Sequence, residues 1–247
     1  MESNLVSELG FDMYESSKEQ ISIRSFSGIN IIGRIDAEYY QPKYDDFQKH
    51  ILSYKNGYTT PRQQFKPIKA KCKWDLTQYP YVEIGDVNVA TGESIYNYVA
   101  TKDLPDNAKI ITQKGDLVVS TVRPYRGAVS ILSQDNLLVS GAFTVLREKG
   151  GYPAQTLQVL LRTALYKEWL LKFNVGSSYP VIKDDDVLDI PIPNFDDSIH
   201  AEISKKVRDS EELLKESHRL LECAKKAVEI AIEQDEAKAI EYLESVK

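Results

Sequence analysis

The sequence predicts an α+β protein, in which a mixed α/β body with a small β-rich core precedes one long C-terminal helix. Seven short β-rich runs lie between residues 81 and 147, each bounded by turn residues. An amphipathic helical pattern follows at Thr156–Phe173. Residues 196–247 then contain no glycine or proline, and their apolar residues recur at alternating spacings of three and four. With 42% hydrophobic and 10% aromatic residues, the 247-residue chain can bury a sizeable core.

The first fifty or so residues predict two helical segments. Met1–Glu19 holds a short helical pattern that stops near Gly10. Arg34–Leu52 predicts a longer helix, which Pro42 breaks or kinks. Its inward-facing side chains are expected to be Ile35, Tyr39, Phe47 and Ile51. We therefore predict an N-terminal helical segment at residues 1–19 and a folded body at residues 20–195.

The body continues as a series of short strands. The predicted runs are Tyr81–Ile84, Ser94–Val99, Lys109–Ile111, Asp116–Val122, Ala128–Leu132, Leu137–Val139 and Ala142–Arg147. Turn sequences such as those at Gly85-Asp86 and Thr91-Gly92 separate them. The apolar stripe of Thr156–Phe173 is more typical of a core-facing helix than of a cofactor pocket. Residues 191–193, Pro-Ile-Pro, predict an extended exit from the body, and the acidic residues after them offer N-caps for the final helix.

The final helix, residues 196–247, has the a/d register of a coiled coil. Large and small residues alternate along its predicted pairing seam, which consists of Val207, Ser210, Leu214, Ser217, Leu221, Ala224, Val228 and Ala231. One uninterrupted helix of this length would extend about 75 Å, several times what a compact body needs for its own core. We therefore predict a spacer and dimerisation helix. The alternative is a helix that folds flat along its own domain.

Charge is distributed unevenly along the chain, whose net charge is −6. Residues 1–53 carry −4, residues 54–195 carry +3 and residues 196–247 carry −5. Within the basic body, residues 62–73 contain five cations and no acid: Arg62, Lys66, Lys69, Lys71 and Lys73. This segment is either a phosphate-binding surface or an ordinary solvated loop. The acidic helix is unsuited to DNA and is expected to bind another helix or protein.

No catalytic, nucleotide-binding or metal-binding motif is recognisable in the sequence. Cys72 and Cys223 stand far apart, and three consecutive acids at residues 184–186 start a helix or turn more often than they bind a cation. We therefore predict no cofactor, no metal site and no catalytic residue. The acidic N-terminal stretch argues against a secretion signal, and the charges within Leu157–Phe173 argue against a membrane span, so a cytoplasmic protein is expected.

Two segments resemble one known family. Arg34–Tyr44 reads RIDAEYYQPKY and resembles the opening of a target recognition domain in the specificity subunits of type I restriction-modification systems. Gly176–Lys183 reads GSSYPVIK and, with the following Ile190–Pro193 and long helix, is similar to the end of such a domain. The resemblance covers nearly the whole chain from residue 34 onward. Most such subunits contain two recognition domains and two spacer helices, whereas this chain contains one of each and resembles a half-subunit.

The resemblance implies a non-catalytic, sequence-specific DNA recognition subunit. In the family, two recognition domains lie at opposite ends of an antiparallel helix pair, and each reads half of an interrupted site on double-stranded DNA. A half-subunit would restore this arrangement as a homodimer through its C-terminal helix, with half-sites about one to two DNA turns apart. The implied partners are the methyltransferase (modification) subunit and the restriction subunit. S-adenosylmethionine, ATP and Mg²⁺ would belong to those partners.

Two turns and the basic segment are candidate DNA contacts. Direct base reading requires donors on exposed turns, and phosphate contacts require cations or small hydroxyl residues. The candidates are Arg123, Tyr125 and Arg126 at one tip, Ser177, Ser178, Tyr179 and Lys183 after a flexible glycine, and Lys69, Lys71 and Lys73. Asn88, Thr91, Tyr96 and Asn97 are weaker candidates. Each of these turns is also compatible with inert surface.

The sequence is also compatible with two other classes of function. A scaffold or protein-interaction module would act through its coiled coil and show no salt-dependent DNA affinity. A small nuclease would require a metal and a carboxylate cluster, which the sequence does not offer. The order of the motifs, the basic body and the acidic helix together favour DNA recognition.

Overall fold

The structure is a computed structural model that describes residues 21–176 and 179–246. The predicted helical segment at residues 1–19 lies outside them. The chain divides into two compact units between His200 and Ala201. Within the described residues, no helix is both long and apolar enough to cross a lipid bilayer.

The first unit is a mixed α/β body. Its helices and strands are, in chain order, α1 Phe26–Ile32, α2 Pro42–Leu52, β1 Tyr58–Thr59, α3 Pro61–Gln64, β2 Phe65–Pro67, β3 Gln78–Val82, β4 Asn97–Ala100, β5 Ala108–Ile111, β6 Leu117–Ser120, β7 Val129–Ile131, β8 Leu138–Ser140, β9 Phe143–Glu148, α4 Ala154–Arg162, α5 Ala164–Leu171, α6 Asp184–Leu188 and β10 Ile192–Pro193. The long helix α7, Asp197–Glu233, follows. The predicted α+β fold class is confirmed.

Two four-stranded sheets form the centre of the body. Their strand orders are β2-β9-β6-β7 and β4-β3-β8-β5, and β1 pairs with β10 in a separate ribbon. One buried cluster contains Val118 and Val145 from the first sheet together with Val82 and Val139 from the second, so the core lies between the two sheets. The pairs are antiparallel except that of β3 with β8. Each of the seven predicted β-rich runs overlaps one of the strands β3 to β9.

An ion pair joins Arg147 of β9 to the buried carboxylate of Asp116, the residue before β6. Arg147 Nε and Nη2 donate to the two carboxylate oxygens of Asp116 at 2.7 and 2.8 Å, and the Asp116 side chain is 1% exposed. Hydrogen bonding to this carboxylate raises the pKa of Arg147. The second oxygen of Asp116 also accepts from the Gln113 amide at 2.8 Å, which closes the turn before β6.

We expect Asp116→Asn to lower the free energy of unfolding by about 1–2 kcal/mol, because it leaves Arg147 without its counter-ion. The loss is smaller than for a fully buried pair, since the Arg147 side chain is one-third exposed and can be hydrated. Urea denaturation of both proteins measures the difference. An unchanged midpoint would show that the pair contributes nothing net.

The helix predicted at Arg34–Leu52 is correct only in its second half. Helix α2 begins at Pro42, which occupies the first helical turn, and Phe47 and Ile51 are buried as predicted. Arg34–Tyr40 is non-helical, and Ile35 is 90% exposed, so its predicted inward orientation is wrong. Proline is tolerated at the start of a helix because its missing N–H has no partner there.

The helix predicted at Thr156–Phe173 divides into two. Thr163 has an extended backbone, and its hydroxyl accepts from the Tyr166 amide at the start of α5. The same hydroxyl donates to Leu160 O at 2.7 Å, at the end of α4. Leu157, Leu160 and Leu161 are fully buried, so the stripe is part of the core as predicted.

The second unit, Ala201–Lys247, is a helical hairpin. Helix α7 ends at Glu233, and α8, Glu236–Ser245, returns along it. Arg219 Nη1 donates to Val246 O at 2.8 Å, and Ala227 and Ala239 are buried. The prediction of one uninterrupted helix to residue 247 is therefore wrong. Asp235 causes the break, because its backbone is extended and its side chain caps α8 by accepting from the Lys238 amide at 2.9 Å.

The predicted pairing seam remains largely uncovered in this hairpin. Leu221 is 53% exposed and Val228 58% exposed, while Ser210, Ser217 and Ala224 are also exposed. Leu214 and Ala231 are half-buried, and Val207 is buried. Successive side chains of a helix are rotated by about 100° about its axis, so Val228 lies on a different face of α7 from the buried Ala227. The exposed part of the seam, which includes Leu221, Ala224 and Val228, is therefore available to another partner, whereas the buried Val207 is not.

Candidate nucleic-acid interface

The turn between β6 and β7 presents Arg123, Tyr125 and Arg126. Arg123 has a left-handed backbone with φ 50° and ψ 54°, and Pro124–Arg126 forms one tight helical turn that Gly127 closes. The Arg123 amide donates to Pro180 O at 2.8 Å. Tyr125 and Arg126 are exposed. An arginine in the left-handed region costs about 1–2 kcal/mol, so the surrounding structure holds this tip in a strained conformation.

The turn that carries Arg123 contacts the predicted DNA-binding residue Tyr179. The Arg123 guanidinium lies over the Tyr179 ring, with 4.6 Å between its carbon and the ring centroid. Val122 forms an antiparallel bridge with Val181, and the Ile182 amide donates to Thr121 O at 2.9 Å. The structure thus brings together two segments more than fifty residues apart. Ser177 and Ser178 lie outside the described residues.

Lys69 of the basic segment lies just after β2, the strand that pairs with β9. The Ile68 amide donates to Val145 O, so the chain leaving β2 follows the start of β9. Lys69 Nζ is 3.4 Å from Asp184 Oδ2, next to the exposed Lys183. Lys69 and Lys183 therefore lie at the same end of the sheet as the tip, where Asp184 partly neutralises Lys69.

Of the other cations of the basic segment, Lys71 and Lys73 are accessible to a ligand, whereas Arg62 is held in ion pairs. Lys71 and Lys73 are exposed, and Lys71 lines an open cleft of about 430 Å³ with Lys109 and Trp74. Arg62 instead binds Asp185 and Asp189 at 2.6 and 2.5 Å, and these hydrogen bonds raise its pKa. Arg62 is thus a tie to α6, which the sequence pattern did not indicate.

Arg162 holds the Val89–Thr91 turn beside the tip. Its guanidinium donates to the carbonyls of Val89, Ala90 and Thr91 at 3.1, 2.7 and 3.0 Å. Gln158 Nε2 donates to Gly92 O at 3.1 Å. In the sequence, Arg162 is one of the charges that interrupt the apolar run Leu157–Phe173. Only the Thr91-Gly92 turn signal pointed to this site, and it did not identify the partner.

We expect Gly92→Ala to lower the free energy of unfolding by about 2 kcal/mol. Gly92 has φ +79°, and an added Cβ would lie 2.5 Å from Arg162 Nη1. Backbone strain alone costs about 1–2 kcal/mol. Gly115→Ala is the matched control, because Gly115 has φ +89° and open space at its Cβ. Thermal unfolding should show a larger loss for Gly92→Ala; equal losses would mean that Arg162 moves aside freely.

The described residues contain no group of three or more His, Cys, Asp or Glu side chains that could hold a metal ion. The acidic run 184–186 forms the first turn of α6, and Asp186 accepts from the Lys183 amide at 2.7 Å. The arrangement at this end of the sheet offers hydrogen-bond donors and positive charge. It therefore suits the binding of a polyanion, with aromatic and guanidinium groups at its tip.

Comparisons with known proteins give structural matches. No family model and no curated protein matches the chain. A solved chain described under "Structural basis underlying complex assembly and conformational transition of the type I R-M system" matches with TM-score 0.53 and 24% identity, over 70% of this chain and 46% of that one. The HsdS subunit from Thermoanaerobacter tengcongensis matches with TM-score 0.52 and 20% identity, over 71% and 46%.

A third solved structure, the type I restriction-modification S subunit from M. genitalium, has TM-score 0.49 and 14% identity, over 73% of this chain and 46% of that one. The matches thus span slightly less than half the length of each solved chain. Sequence identity is low throughout, so the likeness concerns the fold. The chain has the fold of the HsdS, or specificity, subunits of type I restriction-modification systems.

Proposed function

We propose that this chain is a non-catalytic DNA sequence-recognition subunit of a cytoplasmic type I restriction-modification complex. It would direct a methyltransferase subunit and a restriction subunit to an interrupted site on double-stranded DNA. The observation that carries the proposal is the stack of Arg123 on Tyr179 at the end of a sheet that also presents Lys69 and Lys183. The HsdS fold supports the same role.

The contacts divide by chemistry. Arg123, Tyr125, Arg126 and Tyr179 offer donors and a ring for base edges, whereas Lys69, Lys71, Lys73 and Lys183 offer charge for phosphates. Ser177 and Ser178 are proposed as further contacts on the sequence pattern alone. Any S-adenosylmethionine, ATP or Mg²⁺ used by the complex would bind to the partner subunits.

The exposed seam of α7 supports a homodimer. Leu221 and Val228 are one heptad apart and more than half exposed, which is typical of apolar residues that await a partner helix. Two copies paired by a twofold axis would read two inverted half-sites. The interrupted site would then be a palindrome.

Selection of bound duplexes from a random DNA pool tests the proposal, with the chain mixed with its methyltransferase subunit at moderate salt. Enrichment of an interrupted palindrome is the expected result. A single short half-site would retain DNA recognition and remove the dimer. No enrichment from a fully assembled complex would overturn the proposal and favour a scaffold.

A further inference from the structure

Arg34 connects the RIDAEYY motif to a distant part of the body. Its Nε and Nη2 donate to the Asp36 carboxylate at 2.8 and 2.7 Å, and these bonds hold the pKa of Asp36 below its usual value. The same guanidinium donates to Phe173 O at 3.1 Å and to Asn174 O at 2.8 Å, the latter 140 positions along the chain. It also lies 4.7 Å from the Tyr39 ring centroid. The motif therefore fixes the backbone just after α5.

Asn174, in turn, binds the backbone on both sides of Tyr179, at Gly176 and Val181. Its Nδ2 donates to Gly176 O and its Oδ1 accepts from the Val181 amide, both at 2.9 Å. Val175 and Val181 also form an antiparallel bridge. The side chain of Asn174 thus joins Gly176 to Val181, and both of its polar groups are hydrogen-bonded.

Pro180 and Val181 contact the turn that carries Arg123. Val181 bridges to Val122, and Pro180 O accepts from the Arg123 amide at 2.8 Å. Tyr179 then lies under the Arg123 guanidinium. A continuous set of contacts therefore runs from Arg34 through Asn174 and Val181 to Arg123.

We propose that Arg34 and Asn174 are positioning residues that set the orientation of the Arg123–Tyr179 pair for reading DNA bases. The inference deepens the proposed function and rests on it. A bidentate base contact depends on the direction of the guanidinium, whereas phosphate contacts tolerate movement. Removal of the side-chain hydrogen bonds of Asn174 should therefore reduce sequence selectivity and leave non-specific, salt-dependent binding unchanged.

The test uses Asn174→Ala in the full chain assembled with its methyltransferase subunit. We expect the ratio of affinities for the selected site and for a scrambled duplex to fall about tenfold, as for the loss of a base contact. Asn194→Ala is the matched control, because Asn194 Nδ2 donates to Asn56 O at 3.3 Å on a different loop. Asn174→Asp, which keeps the acceptor for the Val181 amide, should recover part of the selectivity.

A double-mutant comparison separates positioning from general support. In an Arg123→Ala background, Asn174→Ala should reduce the ratio by less than twofold further, because its effect acts through Arg123. An undiminished tenfold loss there would overturn the inference. So would an unchanged ratio with a lowered melting temperature, since Asn174 would then only stabilise the fold.

Amide exchange in the absence of DNA provides a readout that does not depend on the proposed function. Asn174→Ala should speed exchange at Val181 and Arg123, while Asn194→Ala should not. If the wild-type complex selects no DNA, the proposed function fails. If it selects DNA and exchange at Arg123 stays slow in Asn174→Ala, the positioning inference alone fails.

Discussion

Replacing Leu221 and Val228 by aspartate is expected to convert the proposed dimer into a monomer. Both side chains are more than half exposed on α7 and lie one heptad apart. Burial of a leucine or valine contributes about 1.5–3 kcal/mol, and a twofold interface counts each residue twice. Aspartate removes this contribution and adds a charge that is costly to bury. We expect the dimer dissociation constant to rise at least about a hundredfold.

Sedimentation equilibrium over a wide concentration range measures this change. His218→Asp is the control, because it introduces an aspartate at an exposed position of α7 that lies outside the seam. It should leave the dissociation constant within about threefold of the wild type. A double variant that keeps the wild-type mass would show that the seam is wrongly placed. A wild-type chain that stays monomeric would remove the dimer itself.

The same variant should change which DNA is selected. A dimer engages its second half-site intramolecularly, which raises affinity by about 10²–10⁴ without any new contact. The monomeric variant is therefore expected to enrich single half-sites in place of the interrupted palindrome. A palindrome recovered from a monomeric variant would mean that the methyltransferase subunit, and not α7, pairs the two copies.

The C-terminal helix shows how far periodicity carries a prediction. The three–four spacing correctly indicated a long helix over Asp197–Glu233. No glycine or proline marks the end of this helix at Glu233, so the spacing alone predicts that it continues to residue 247. Asp235 stops the helix by capping the next one, and the buried Ala227 and Ala239 allow α8 to return closely. An aspartate three residues before Lys238 is a local signal, but the return of α8 depends on packing.

The N-terminal motif shows the limit set by long-range contacts. Arg34–Tyr40 has the spacing of a helix, yet its first residue, Arg34, donates to the carbonyls of Phe173 and Asn174. No local pattern specifies that partner. Phe47 and Ile51 were placed correctly because α2 has its own apolar period and a proline at its start.

The candidate site was predictable in its parts and not in its assembly. A strand, a proline turn and two arginines indicated the tip, and the GSSYPVIK segment indicated Tyr179. That Arg123 lies on Tyr179 follows from the Val122–Val181 bridge, which joins segments distant in sequence. The left-handed backbone of Arg123 was also unforeseen, because it reflects tertiary constraint and not residue preference.

Arg123→Gly is expected to weaken binding to the selected DNA site about 10- to 100-fold while leaving stability nearly unchanged. Loss of a bidentate arginine–guanine contact costs about 1–3 kcal/mol. For folding, glycine relieves about 1–2 kcal/mol of left-handed strain. It also loses the stack on Tyr179, about 0.5–1 kcal/mol, and adds entropy to the unfolded chain. These terms largely cancel, so the free energy of unfolding should stay within about 1 kcal/mol.

Asn136→Gly is the matched control, because Asn136 is exposed and also has a positive φ, at 60°. It should leave DNA affinity unchanged. Titrations at several salt concentrations distinguish two kinds of contact. A base contact by Arg123 predicts weaker binding to the selected site with little change for other sequences, whereas Lys71→Ala should weaken all sequences and reduce the salt slope by about one. A uniform loss for Arg123→Gly, with the same reduction in slope, would assign Arg123 to a phosphate and leave base reading to other residues.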